Sequence, residues 1–169
     1  MTGRRKHEDF IQQPRRDRMY EEHVEDPYLE RGKPAEPAVC PDCGVVFHKG
    51  RWQWGEAPEG AHEHRCPACS RIHDRIPAAI LTLSGEFFAT NRQEIMRLIH
   101  SKEEREKAEH PLERIMRIEE RPEENRTVIS FTGIHLAKST GAALHHAYQG
   151  EFNFAYSDRD DVLRASWER

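Results

Sequence analysis

Two cysteine pairs decide the reading of this chain: Cys40-Pro-Asp-Cys43-Gly44 and Cys66-Pro-Ala-Cys69, separated by residues 44–65. Two residues between paired cysteines let one tight turn aim both sulfurs at a single ion, and an intervening hairpin returns the second pair to the first. Gly44 supplies the permissive backbone that such a turn commonly requires. The sequence holds four cysteines and none is left over. The spacing predicts a zinc ribbon over residues 38–75 with Cys40, Cys43, Cys66 and Cys69 as ligands. It predicts one structural Zn2+ per chain, closed to solvent and therefore not catalytic. Disulfides are the competing use of the same residues and need an oxidising compartment. The basic start Arg4-Arg5-Lys6 leads into no apolar segment that would direct the chain there. A redox-active Cys-x-x-Cys would come once, near a βαβ pattern, rather than as a spaced pair. His48, His62, His64 and His73 lie in or beside the module and are expected to be solvated or to support the ligands rather than replace one.

Within the ribbon, Val45-Val46-Phe47 and Arg51-Trp52-Gln53-Trp54 read as two short strands about His48-Lys49-Gly50. Trp52 and Trp54 have the same parity and share one face of a strand. Aromatic rings beside Arg51, Arg65 and Arg71 suit stacking on bases and contact with phosphates, so these five residues are the RNA-binding candidates. The plainer reading is that the tryptophans cover the metal site or dock the ribbon on the next domain.

Residues 1–37 read as a charged, disordered extension. Its first half is basic: Arg4, Arg5, Lys6, Arg15, Arg16 and Arg18 outweigh Glu8, Asp9 and Asp17. Its second half is acidic, with Glu21, Glu22, Glu25, Asp26, Glu30 and Glu36 against Arg31 and Lys33. A basic arm of this kind either touches nucleic acid or is an ordinary solvated tail.

Beyond the ribbon the periodicity becomes regular. Ala78 to Leu83 predicts a buried strand, and Thr90 with Gln93 predicts the cap of a helix bearing Ile95, Leu98 and Ile99, which ends before Pro111. Leu112 to Glu120 and Arg126 to Thr132 predict two strands about Arg121-Pro122-Glu123-Glu124-Asn125. A second helix spans about Ile134 to Gln149 and stops at Gly150. Phe152, Phe154 and Tyr156 alternate along a further strand, and Val162 to Trp167 forms the last. The fold class is therefore α+β, with residues 76–169 a ferredoxin-like βαββαβ domain carrying an extra C-terminal strand. The Phe152, Phe154 and Tyr156 set reads as a core face rather than as a base-stacking ladder.

Catalytic patterns are weak. Gly133-Ile134-His135-Leu136-Ala137-Lys138-Ser139-Thr140 follows a strand and opens a helix, as a phosphate-binding loop does, but lacks the glycine before the lysine. Gly133, Lys138 and Ser139 are thus weak nucleotide-loop candidates, and an ATPase is the least favoured function. No Gly-x-Ser-x-Gly or His-Glu-x-x-His pattern occurs. The 169 residues are 33% charged and 36% hydrophobic, with net charge -4, too polar for a uniform core. The apolar run Ile76 to Leu83 is far short of the ~20 residues that cross a bilayer. A cytoplasmic, non-membrane protein is expected.

The knuckles Cys40-Pro-Asp-Cys43-Gly44 and Cys66-Pro-Ala-Cys69, with Gly50-Arg51-Trp52-Gln53-Trp54, resemble the zinc-ribbon part of the ribosomal large-subunit export adapter family over residues 39–75. The wider chain resembles small uncharacterised bacterial proteins that share this ribbon. The resemblance implies zinc and a ribosome or RNA surface, and no chemistry. The expectation is a non-enzymatic zinc protein that binds RNA, on the ribosome, through the ribbon and the basic arm. The alternative is a module that docks a protein partner through the ribbon and an exposed sheet edge.

Overall fold

The computed structural model describes residues 27–28, 33–157 and 159–169. Most of the extension expected to be disordered lies outside the described residues. The part that is described belongs to the ribbon. Tyr28 donates its hydroxyl to Asp74 at 2.8 Å. The Glu36 carboxylate accepts from the backbone N–H groups of Lys49 and Gly50 at 3.0 and 2.9 Å.

The ribbon is a small mixed sheet of β1 (Ala38–Val39), β2 (Val46–His48), β3 (Arg51–Gln53) and β4 (His62–Glu63), in the order β3-β2-β1-β4. The β2–β3 turn has Lys49 at φ 51 and Gly50 at φ 76. Two left-handed residues in succession match the twist of the flanking strands, which is why glycine sits second here. Helix α1 (Pro67–Asp74) follows Cys66 directly. Sequence periodicity does not announce it, because it is short and mostly polar. Its start is set instead by Pro67 at the first helical position and by the Cys66 sulfur acting as N-cap.

The α+β part comprises β5 (Ala79–Ser84), α2 (Glu86–Glu109), β6 (Ile115–Arg121), β7 (Arg126–Phe131), α3 (Ile134–Tyr148), β8 (Glu151–Tyr156) and β9 (Leu163–Glu168). Its sheet is mixed, in the order β6-β7-β5-β9-β8. The odd-numbered residues Leu81, Leu83, Ile129, Phe131, Leu163, Ala165 and Trp167 form one face, buried beneath Phe88, Ile95 and Ile99 of α2 and Leu136, Ala137 and Leu144 of α3. Each large apolar side chain buried this way stabilises the fold by about 1.5–3 kcal/mol. Among the described residues, no helix covers the opposite face.

Two expectations change. The extra C-terminal strand is an inner one: β9 lies between β5 and β8, parallel to β5 and antiparallel to β8. The split βαββαβ scheme sets the strand after the second helix in that place and antiparallel to the first strand, whereas here β9 holds it in the parallel sense and β8 lies at the edge, so the sheet departs from that scheme. Helix α2 opens at Glu86 behind Gly85 rather than at Thr90. Phe88 anchors its first turn in the core. The Thr90 hydroxyl donates back to Glu86 O at 3.0 Å, and Asn91, at φ -108 and ψ 20, marks a kink where its amide bonds Phe87 O. Among the described residues, no helix is long and apolar enough to cross a membrane.

Candidate metal centre

Each cysteine pair is shaped by its own turn. In the first, Cys40 N–H donates to Val45 O at 2.8 Å and Gly44 N–H to Cys40 O at 2.9 Å, which curls both sulfurs to one side. In the second, Cys66 caps α1, and its sulfur accepts from Cys69 N–H at 3.4 Å. Cys66 N–H then donates to Cys40 Sγ at 3.3 Å and ties the two turns together. The four sulfurs lie within 4.8 Å of one another. Cys43 and Cys66 are 3.8 Å apart, and none of the four is in a disulfide. Ligands about 2.3 Å from a tetrahedral zinc are separated by about 3.8 Å, so the spacing fits four thiolates around one ion. None of the neighbouring histidines enters the cluster; His64 stacks on Trp52 with centroids 6.2 Å apart.

A residue from beyond the ribbon, Arg114, reaches the sulfurs. Arg114 is only 6% exposed. Its guanidinium donates to Cys43 Sγ at 3.2 Å and Cys69 Sγ at 3.4 Å, and lies 3.9 Å from Cys66 Sγ. Its Nε–H donates to Pro111 O at 2.7 Å. The backbone beneath it is fixed by Thr132: Arg114 N–H donates to the Thr132 hydroxyl at 2.8 Å, and that hydroxyl donates to Leu112 O at 2.6 Å. Trp54 covers the guanidinium, 5.6 Å from the ring centroid, and anchors its own indole N–H on Lys107 O at 2.7 Å. Residues 111–114 are thus the connection that carries Arg114, and the strand expected from Leu112 begins only at Ile115.

The electrostatics follow from this burial. Desolvation raises the Cys66 thiol, and it pushes Cys69 up to about 11. Cys43 also feels desolvation, but the Val45 amide and Arg114 outweigh it and hold that thiol at about 7. Four thiolates around a divalent ion carry two net negative charges, so a buried cation in hydrogen-bonding contact neutralises part of an otherwise costly charge. The thiols that burial keeps protonated need a metal or a cation to ionise.

The remaining candidates are dispersed. Trp52 packs on Phe47, with centroids 5.2 Å apart. Arg71 is buried, bonding Ile76 O at 3.1 Å and lying over the Tyr28 ring. Arg65 pairs with Asp42 at 2.6 Å. Arg51, Trp52, Lys138 and Ser139 come together around one cleft of about 840 Å3, together with Glu106, Glu109 and Glu113. The segment after Gly133 is helical from Ile134, so no loop wraps there. Its N-terminus is held by Glu113, whose carboxylate accepts from Leu136 N–H at 3.0 Å. A Cβ on Gly133 would meet that carboxylate, the far end of the Glu113 side chain, which would have to shift. Lys138 points to the Phe154 ring, 4.8 Å from its centroid, and the Ser139 hydroxyl donates to Leu136 O at 3.2 Å.

Comparison with protein-family models, curated proteins and solved structures finds no match to this chain.

Proposed function

We propose that this is a non-enzymatic zinc protein of the cytoplasm in which the metal fixes a ribbon to an α+β domain, and that the assembled surface binds RNA, on the ribosome. One zinc per chain is held by Cys40, Cys43, Cys66 and Cys69. The observation that carries the RNA reading is the uncovered sheet face. A groove of about 570 Å3 runs over it, with Arg75 of the ribbon beside Arg117 and Arg121 of β6 and Glu119 as its one acidic residue. The cleft that holds Arg51 and Lys138 has three carboxylates on its wall, so charge favours the groove for a polyanion. The likeness of the knuckles to the export adapter ribbon points to the same partner.

The groove is lined mainly by arginine and aliphatic residues, with Glu119 paired to Arg117 and Arg121 at 3.8 and 3.3 Å, and by no aromatic ring. Such a surface contacts phosphates and groove shape rather than stacking splayed bases, so it suits structured RNA with little sequence preference. The test is binding of full-length protein to duplex RNA across a salt series, with sedimentation of native lysate on a gradient. Removing Arg117 and Arg121 together should flatten the log–log salt dependence by about 0.9 for each phosphate no longer neutralised, on a B-DNA scale. Absence from every ribosomal fraction at low salt, with no RNA retained, would sink the reading. Retention of a protein partner that survives RNase would favour the docking alternative.

A further inference from the structure

The two edges of the five-stranded sheet are built differently. The β6 edge is guarded: its register slips between Ile115 and Arg117, and it carries Arg117, Glu119, Glu120 and Arg121. Bulges and charges are the usual means by which an edge avoids pairing with another strand. Strand β8 has no bulge and a single charge. It pairs with β9 in unbroken register over six residues, and among the described residues no strand lies beyond it. Glu151 is its one charged residue.

Beside this bare edge lie uncovered rings. Phe152, Phe154 and Tyr156 share the helix-side face, but only Phe152 is tucked under α3, against Gly141. Phe154 is 49% and Tyr156 42% exposed, far from the core face expected of them. Lys138 alone leans on both rings, at 4.8 and 5.4 Å.

We infer that β8 is a homodimer edge, pairing antiparallel with β8 of a second copy to make one continuous ten-stranded sheet. The sequence is complementary to itself. Opposed residues of an antiparallel pair point to the same face, so a twofold axis must pass through a residue and not between two. An axis at Phe154 sets that ring against the partner's Phe154, and Phe152 against the partner's Tyr156. Asn153 then faces the partner's Ala155, and Glu151 faces the partner's Ser157, so no like charges meet. An axis at Asn153 would instead leave Tyr156 opposite a glycine and still bare.

The experiment is sedimentation equilibrium of the zinc-loaded full chain across a concentration series. The expected mass is twice the chain's 19.8 kDa. F154E should weaken the dimer more than about tenfold, as losing a central aromatic anchor does, with an unchanged circular dichroism spectrum. F154C should cross-link to itself under mild oxidation. A155C should not, because its sulfur would lie beyond the ~7 Å Cα limit from its own copy in this register. If F154E misfolds, the cross-linking pair decides. A monomer at every concentration overturns the inference, and so does a dimer that survives F154E and yields no F154C cross-link.

Discussion

Replacing Arg114 with methionine tests the central claim about the metal centre, because it keeps the volume and removes the charge and the donors. In the native protein the guanidinium makes two sulfur-directed bonds, at 3.2 and 3.4 Å, from a nearly buried position. A hydrogen bond involving a charged group contributes about 1.5–3 kcal/mol net. Removing a partner that supports metal ligands typically costs about 10–100-fold in affinity, and tenfold is about 1.4 kcal/mol. The two scales agree, so Arg114→Met should weaken zinc binding by about 10–100-fold. Arg114→Lys should fall between, since an ammonium keeps the charge but cannot fork between two sulfurs. The assay is competition for zinc against a chromogenic chelator, with thermal melts of the loaded proteins alongside. A methionine variant that holds zinc within about threefold of the wild type and melts at the same temperature would refute the argument, because a tenfold loss is its lower bound.

Other outcomes follow from the same geometry. Metal analysis should return one zinc per chain, and chelation should remove amide exchange protection from residues 33–75 before it affects β5, β7 and β9. Trp54→Ala should cost about 1 kcal/mol or more in the melt by uncovering Arg114 and freeing the bond to Lys107 O. Glu113→Ala removes the cap of α3 and should destabilise by about 1 kcal/mol, measured by urea unfolding. Burial raises the Glu113 carboxyl. The folded state therefore binds its proton more tightly than the unfolded chain, so this group's contribution is full below the ordinary carboxylate range. It is lost as pH rises through the folded value. Glu113→Gln should flatten that decline, and a pH–stability curve that keeps the wild-type slope would refute the assignment.

How much of this was legible depends on how local each signal is. The four clustered cysteines sit in two pairs whose spacing brings their sulfurs to one point, so the cluster can be read directly. Strands β5 and β7 and helix α3 show the periodicities of a one-sided core. Arg114 gives no such signal: it lies 45 residues beyond Cys69 and sits in a stretch that alternates like a strand. Only the folded chain reveals that Pro111 and Thr132 bend that stretch toward the sulfurs. Trp54 was half legible, since its need for a partner was evident while Lys107 and Arg114 were not. The start of α2 is not legible, because Thr90 and Gln93 imitate a cap inside a helix that begins at Glu86. The position of β9 had no local marker, because strand order is a property of pairing across the whole sheet.

That last strand has a consequence for how the molecule is made. Leu163–Glu168 joins β5 on one side and β8 on the other, and its Trp167 is the largest wholly enclosed side chain. During synthesis the ribbon, both long helices and the other four strands of the sheet are made before β9, while the place between β5 and β8 still stands open. The sheet closes only when its middle arrives, and until then β5 offers an unguarded edge of its own. Pairing across so long a stretch of chain is slow compared with local contacts. The nascent chain therefore carries β5 with one side unpaired until β9 has been made.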